Sequence, residues 1–412
     1  MKFNKKKFNY LLLLFLIAFL VKVLWLFVQI QILADRNGYL YETYTDEHFY
    51  HEEGVAIYEH LRQEGLSLKG AVDRHRDIRW SLHWGYPVMI GYLYYFTDNP
   101  NVNIIRFANV VFSTLSIILG FLILIQIGLP YRYSLFALLP VIVWPPINLF
   151  CSTSLKESSV IFLLLLQICF FSKFMGQLLN QTNRKKKNTL LYLFCCLIPI
   201  FLVGTVFRAL LPISFLTSII FTVLVIKKKT GLTLLIATIA VCVILAISYS
   251  TPMFDVYDIA KGMIQSKVSN GFEWGNMFFQ YIKFFLTPLP IPGNIQHDFR
   301  QIGAFTFLIK LFVTTCAVYF GVFTIMNKNN YKNTTKTIIV FLFFQIIFLS
   351  AGYVFTINEV QMRIQHQVWL PIWLLFSVAL FKKSRDTILI GSMVSILVSL
   401  LLPVYAIYTK LN

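Results

Sequence analysis

The chain has 412 residues, 57% of them hydrophobic and 13% charged, with a mean hydropathy of +0.69. Soluble domains carry about 25% charged residues, so this composition excludes an ordinary soluble globule and a disordered chain alike. The net charge of +18 invites a nucleic-acid partner, but its distribution along the chain accounts for it without one.

Apolar runs of about 20 residues, long enough to cross a ~30 Å hydrocarbon core, recur from end to end. They predict an all-α, polytopic transmembrane bundle in a single integral membrane domain, residues 1–412. About eleven spans are expected, near 10–33, 102–128, 133–150, 158–175, 189–206, 209–226, 231–249, 303–326, 337–356, 368–381 and 387–407. The first run follows a basic preface but is too long for a signal-peptide core and has no small-residue cleavage site, so it reads as a retained anchor. Lys5-Lys6-Lys7, Arg184 to Lys187, Lys227 to Lys229, Lys328 to Lys336 and Lys382-Lys383 with Arg385 all fall on one side of this arrangement. That is the positive-inside pattern, which gives a cytoplasmic N-terminus and an outer C-terminus. The basic charge is then a topology signal.

Two outer segments are large, 34–100 and 250–302. Eleven of the 18 carboxylates lie between Asp35 and Asp98, and on this topology all but Asp386 are outside or at the outer rim, as are all seven histidines. In the first outer loop, Thr45 or Asp46 can cap an amphipathic juxtamembrane helix running to about Glu64, with Asp46 and Glu47 suited to its dipole. Phe49, Val55, Ile57, Tyr58 and Leu61 give it an apolar face to lay on the membrane surface. Glu47 with His51, and His48 with Glu52, stand one helical turn apart. Such a set can hold a divalent ion or form a solvated polar face, and it lacks the flanking pattern of zinc motifs, so no metal is assigned. A second surface helix is expected over 84–96, entered through His83 to Pro87 and too short to span. The six cysteines sit in or at the ends of spans without metal spacing.

Four cations stand at outer span ends, where the charge rule disfavours them: Lys156, Arg208, Arg363 and Arg300. Each can snorkel to water, or pair locally as in Lys156-Glu157 and Glu359 with Arg363. Together at one surface they suit an anion, and arginine suits phosphate. Lys22, Arg106 and Lys310 lie deeper and need internal partners or snorkelling.

The order and spacing of four segments resemble a membrane glycosyltransferase of the GT-C superfamily, in the bacterial branch near the protein O-mannosyltransferases (family 39-like) and the lipid A aminoarabinose transferases. Thr45-Asp46-Glu47 to Tyr50 resembles the Asp-Glu…Tyr motif of the first outer loop. His83 to Gly91 resembles the entry to the second juxtamembrane helix, and Arg106-Phe-Ala-Asn109 the Arg…Asn start of the next span. Trp144-Pro145 to Lys156-Glu157 resembles the segment at the outer end of the third span. Phe207-Arg208-Ala209, Thr287 to Pro290 and Arg363 to Pro371 are weaker echoes. The likeness covers residues 10–215 well and the remainder loosely.

The resemblance implies transfer of a sugar from a polyprenyl-phosphate donor to an extracytoplasmic glycan, lipid or protein acceptor, with inversion. The setting it implies is the outer face of a bacterial cytoplasmic membrane. On that basis Asp46 is the expected general base and Glu47 its support. Lys156, Arg208 and Arg363 are the expected donor-phosphate ligands, and His48, His83, Tyr86, Glu157 and His366 are candidate substrate contacts. No cofactor is expected, with a divalent ion as the alternative; the chain lacks a clear Asp-X-Asp, which counts against metal dependence. Two other readings stand beside this one. A transporter or flippase for a lipid-linked glycan calls for inverted repeats, broken helices and midplane charge, whereas most polar groups here sit at one face. A polysaccharide polymerase or ligase shares the carbohydrate setting but does not need the early Asp-Glu loop.

Overall fold

The computed structural model describes residues 5–33, 45–78, 84–179, 198–208, 210–227, 281, 284–285, 298–326, 333–356, 362–382 and 387–393. Every regular element among them is a helix. In chain order they are α1 (Lys5–Leu33), α2 (Thr45–Glu64), α3 (Leu68–Ile78), α4 (Gly85–Thr97), α5 (Val102–Ile127), α6 (Tyr131–Ile142), α7 (Pro145–Cys151) and α8 (Glu157–Leu179). They continue with α9 (Ile198–Phe207), α10 (Leu210–Lys227), α11 (Asp298–Met326), α12 (Asn333–Thr356) and α13 (Met362–Phe381). Five stretches among the described residues are long and apolar enough to cross a membrane: 5–31 of α1, 102–127 of α5, 157–175 of α8, 309–326 of α11 and 334–354 of α12. The chain is thus a helical protein suited to a bilayer. The expected span at 231–249, half of 189–206 and most of 387–407 lie outside the described residues.

α5 is the hub of the bundle. It packs on α1 and α8 along its length and touches α4, α6, α7, α12 and α13. Its start is fixed by Asn101, whose side chain accepts from the backbone N–H of Asn103 at 2.9 Å, and its end by Gly128 at φ 100°. An asparagine N-cap and a left-handed glycine C-cap bound it as such residues commonly do. α1, by contrast, leaves Leu12, Leu16, Leu20, Leu24 and Phe27 exposed along one side. That stripe matches a lipid-facing helix at the bundle's edge.

The expected span 133–150 is instead two helices. α6 stops at Ile142, Trp144 takes an extended conformation (φ −64°, ψ 112°), and α7 restarts on Pro145. The residue before a proline is pushed out of the helical region, and proline is well placed in the first turn of the next helix. After α7 the chain stays irregular through Ser152-Thr153-Ser154-Leu155-Lys156 before α8 begins. α7 is seated on α1 by polar contacts: Lys22 Nζ donates to Asn148 Oδ1 at 3.2 Å, and the Ser152 hydroxyl donates to Gln29. Lys22 thus has the internal partner its depth requires.

The two expected surface helices are present as α2 and α4, and they pack side by side in parallel, with Tyr50 against Tyr86, Gly54 against Ile90 and Tyr58 reaching Asp98. Ile57, Tyr58 and Leu61 of α2 are buried, so most of the apolar face expected to lie on the membrane is spent on α4; only Phe49 of that set is largely exposed. Two glycines allow the close approach. A Cβ on Gly54 would run into Ile90, and one on Gly91 into Ile57. α3 was not expected. It is short and charged, yet Ala71, Val72 and His75 are buried and it closes the open side of the pair. His75 there meets Glu53 of α2 at 3.6 Å, both buried.

Candidate functional site

The first turn of α2 is docked on the bundle through Glu47. Its Oε1 accepts from Arg106 Nε at 3.3 Å, from Arg106 Nη2 at 3.1 Å, and from the backbone N–H of Ser154 at 2.9 Å. Both side chains are 1% exposed. Arg106 also donates from Nη1 to Asn103 Oδ1 at 2.9 Å. A buried arginine inside a hydrophobic span needs a counter-charge, and Glu47 supplies it across 59 residues of sequence. With three donors on one oxygen, this carboxylate is built to hold position.

The irregular turn between α7 and α8 is held from below by two other side chains. Asn109, one turn beyond Arg106 on α5, donates from Nδ2 to the carbonyls of Thr153 and Leu155 at 2.7 Å each, and to Tyr86 Oη at 3.0 Å. The Tyr86 hydroxyl donates to the carbonyl of Ser154 at 2.9 Å. Three successive carbonyls and the Ser154 N–H thus have side-chain partners, which satisfies backbone that no helix could satisfy. The frame consists of Glu47, Tyr86, Arg106 and Asn109, drawn from α2, α4 and α5.

Around that frame the expected residues gather. Lys156 is buried, and its Nζ lies 5.5 Å from the centre of the Tyr50 ring. Tyr50 in turn meets Tyr86 edge-on at 5.1 Å. Asp46 stands four residues before Tyr50, on the same side of α2, and is half-buried. Asp46 therefore shares a helix face with the tyrosine that Lys156 meets. The end of α9 packs on the start of α4: Tyr86 and Phe207 are 6.3 Å apart, and a Cβ on Gly85 would press on Val206 and Phe207. This places Arg208 beside the cluster, half-buried, its guanidinium 5.1 Å from the Tyr353 ring centre. Arg208 is also the joint between α9 and α10, since its N–H closes the last turn of one and its carbonyl opens the next. Glu157, the first residue of α8, is buried at the positive end of that helix, within electrostatic reach of both Tyr86 and Tyr353. Its Oε2 has no hydrogen-bond partner among the described residues.

The remaining candidates divide. His48 is exposed and pairs with Glu52 at 3.3 Å, a solvated contact of little energetic weight. The His51 Nδ1 lies 2.6 Å from Tyr94 Oη of α4, and Glu47, one turn away, acts on the ring electrostatically. Burial, and next the nearby His48, lower its pKa below the ordinary value. No cluster of three or more His, Cys, Asp or Glu side chains with metal-binding geometry occurs among the described residues. His83 and the side chains of Arg300 and Arg363 lie outside the described residues, so the expected approach of Arg363 to Arg208 does too. His366 is buried elsewhere, against Phe150 at 4.6 Å and beside Lys310.

The residues missing from the sequence-based site are Arg106, Asn109 and Tyr50. Arg106 carried a signal, as a cation deep in a span without a local partner. Asn109 and Tyr50 stood within the segments of resemblance, but the hydrogen bonds of the one and the ring contact of the other with Lys156 depend on the turn at 152–156.

No family model matches this chain, and no curated protein or solved structure matches it either. The functional reading therefore rests on the residues themselves.

Proposed function

We propose that this chain is a membrane glycosyltransferase that moves a sugar from a polyprenyl-phosphate donor to an extracytoplasmic acceptor, with inversion. The observation that carries the reading is the docking of the acidic turn of α2, through Glu47 on Arg106 and Ser154, next to Lys156. A carboxylate and two cations then border one region built on Tyr50 and Tyr86.

That arrangement suits a single displacement. The acceptor hydroxyl attacks the anomeric carbon and gives its proton to Asp46. The bond from that carbon to the phosphate oxygen breaks, and the electron pair leaves with the polyprenyl phosphate. Lys156 and Arg208 offset the charge that develops on the departing oxygen, so no acid is needed. Glu47 acts as a positioning residue: its charge is neutralised by Arg106, and it fixes the first turn of α2 so that Asp46 is presented at a constant angle. A rigid helix end is a good support for such a base.

The break at Trp144 is a discontinuity of the kind transporters use to line a midplane ion path. Here the freed carbonyls of residues 153–155 are taken by Asn109 and Tyr86, which favours a fixed frame over a transport path. The test is the lipid and glycan content of cells lacking the chain. Accumulation of a polyprenyl-phosphate-linked sugar on the outer leaflet, with loss of that sugar from a surface glycan, lipid or protein, supports the transferase. Accumulation on the inner leaflet supports a flippase instead, and an unchanged lipid-linked pool removes both readings.

A further inference from the structure

A second polar centre lies between α11 and α13, apart from the cluster around Tyr86. Lys310, Gln365, His366, Trp369, Thr314, Phe284 and Phe285 border a small cavity, with about 20 Å³ of room for the centres of water-sized molecules and an opening to wider space. Lys310 is 6% exposed and His366 1% exposed. Among the described residues, neither Lys310 Nζ, nor either ring nitrogen of His366, nor Trp369 Nε1 has a hydrogen-bond partner. Among the described residues no carboxylate borders the cavity.

Such a set is costly as it stands. A buried ammonium without an acceptor or counter-charge loses its hydration and regains nothing, and the indole N–H and the imidazole add to the deficit. The lysine offers three donors, the tryptophan one, and the histidine at least one in any protonation state. The buried cations Lys22 and Arg106, by contrast, have acceptors in Asn148 and Glu47. What the cavity lacks is an acceptor-rich anion. The wall beside the donors is aromatic, from Phe284, Phe285 and the face of Trp369, so the ligand should carry an apolar or sugar body next to its charge. On the topology of the Lys clusters, Lys310 and His366 both stand within a few turns of the outer ends of their helices.

We infer that this cavity is a phosphate-ester site, with Lys310, His366 and Trp369 as ligands to the phosphate oxygens. The three oxygens of a phosphate monoester match three converging donor groups. The site is separate from the Lys156–Arg208 cluster and does not depend on the transferase reading. The phosphate ester comes either from a lipid headgroup or from a water-soluble compound.

The test is equilibrium binding to the purified full-length protein in detergent, with three probes: inorganic phosphate, a short-chain polyprenyl monophosphate, and the matching uncharged polyprenol. Lys310→Met should weaken binding of at least one phosphate probe about tenfold or more, the loss expected of a hydrogen bond to a charged group. Binding of the polyprenol should be unchanged. A Lys310 effect on the lipid probe alone assigns the site to a lipid phosphate, and an effect that includes inorganic phosphate assigns it to a soluble ester. Arg208→Gln should leave the Lys310-dependent part of the binding in place. Should Lys310→Met not yield monodisperse protein, Trp369→Phe decides, because it removes one donor at nearly constant volume; a loss of about threefold or more in phosphate binding is then expected. Phosphate binding within twofold of the parent in the folded variant, or no phosphate binding by the parent, overturns the inference. Because binding is read without turnover, failure here leaves the Asp46 chemistry untouched, and failure there leaves this site untouched.

Discussion

Two regions of this molecule bury cations, and they treat them in opposite ways. At the α2–α5 junction Arg106 meets Glu47, Asn103 and a fixed turn of backbone, and every donor named there has its acceptor. At the α11–α13 cavity Lys310 Nζ, both His366 ring nitrogens and Trp369 Nε1 have no hydrogen-bond partner among the described residues. Burial is nearly equal in the two places, so it does not distinguish them; what differs is whether the buried cation meets a counter-charge. A paired buried cation holds a frame in one geometry, whereas an unpaired one is a place where a ligand can complete the set.

The contrast can be broken from its satisfied side first. Arg106→Met leaves the Glu47 carboxylate buried without its partner and should cost about 3–5 kcal/mol, read as a large fall in the thermal unfolding midpoint of the purified protein. Replacing both residues, Glu47→Leu with Arg106→Leu, should recover much of that loss, because the penalty belongs to the orphaned charge. If the double variant is as unstable as the single one, the pair does not work as described.

The unsatisfied side should respond with the opposite sign. Lys310→Met in ligand-free protein removes a buried donor that has no acceptor, and should raise stability by about 1–3 kcal/mol. A fall of similar size would mean that the ammonium already has a partner. Between these lies the packing of α2 on α4, on which the presentation of Asp46 depends. Gly54→Leu drives a side chain into Ile90 and should cost about 1–3 kcal/mol, with loss of activity through displacement of α2. Unchanged stability and activity would show that the glycine contact is slack.

The smallest expected effect is on pH dependence. His51 in the folded protein has a pKa below its ordinary value near 6.5, chiefly because it is partly buried and next because His48 is close. Folding therefore favours the neutral ring. As pH falls through the ordinary value the unfolded chain takes up the proton first, so stability declines, and the decline levels off once pH is below the folded value. His48, Glu52, Arg106 and Glu47 face the same ring electrostatically. His51→Gln should flatten the slope of unfolding midpoint against pH below about 6.5 relative to the parent; an identical slope in both proteins would remove His51 as its source.

Much of this arrangement was legible in the sequence where the signal was local. The long spans at α1, α5, α8, α11 and α12 follow from uninterrupted apolar runs, and α2 and α4 from their lengths and flanking residues. The break at Trp144–Pro145 had a local signal too, in the pre-proline restriction, but the apolar run from 133 to 150 masked it. α3 escaped because its buried residues are few and its surface is charged. The site was legible as a set of residue types and not as a set of pairs. Glu47 was read with His51 one turn away, but it pairs with Arg106 and Ser154 across the bundle, and His51 turns to Tyr94. Lys310 stood out as a cation needing a partner, and His366 as a candidate contact, yet nothing in one dimension brings them to a single cavity. Long-range pairing is decided by helix packing, which periodicity does not encode.

The central claim is that Asp46 is the base and Glu47 its support. It is tested most directly by following labelled sugar from the polyprenyl-phosphate fraction into acceptor, in right-side-out membrane vesicles carrying the parent, Asp46→Asn or Glu47→Gln at equal protein level. Asn caps a helix about as well as Asp, so a mere cap survives the first change. The account expects Asp46→Asn to lower the transfer rate by about 10² to 10⁴-fold, the usual contribution of a general base, while the protein stays folded. Transfer by Asp46→Asn within a few-fold of the parent would contradict it, and if Glu47→Gln alone were inactive, the two carboxylates would exchange roles.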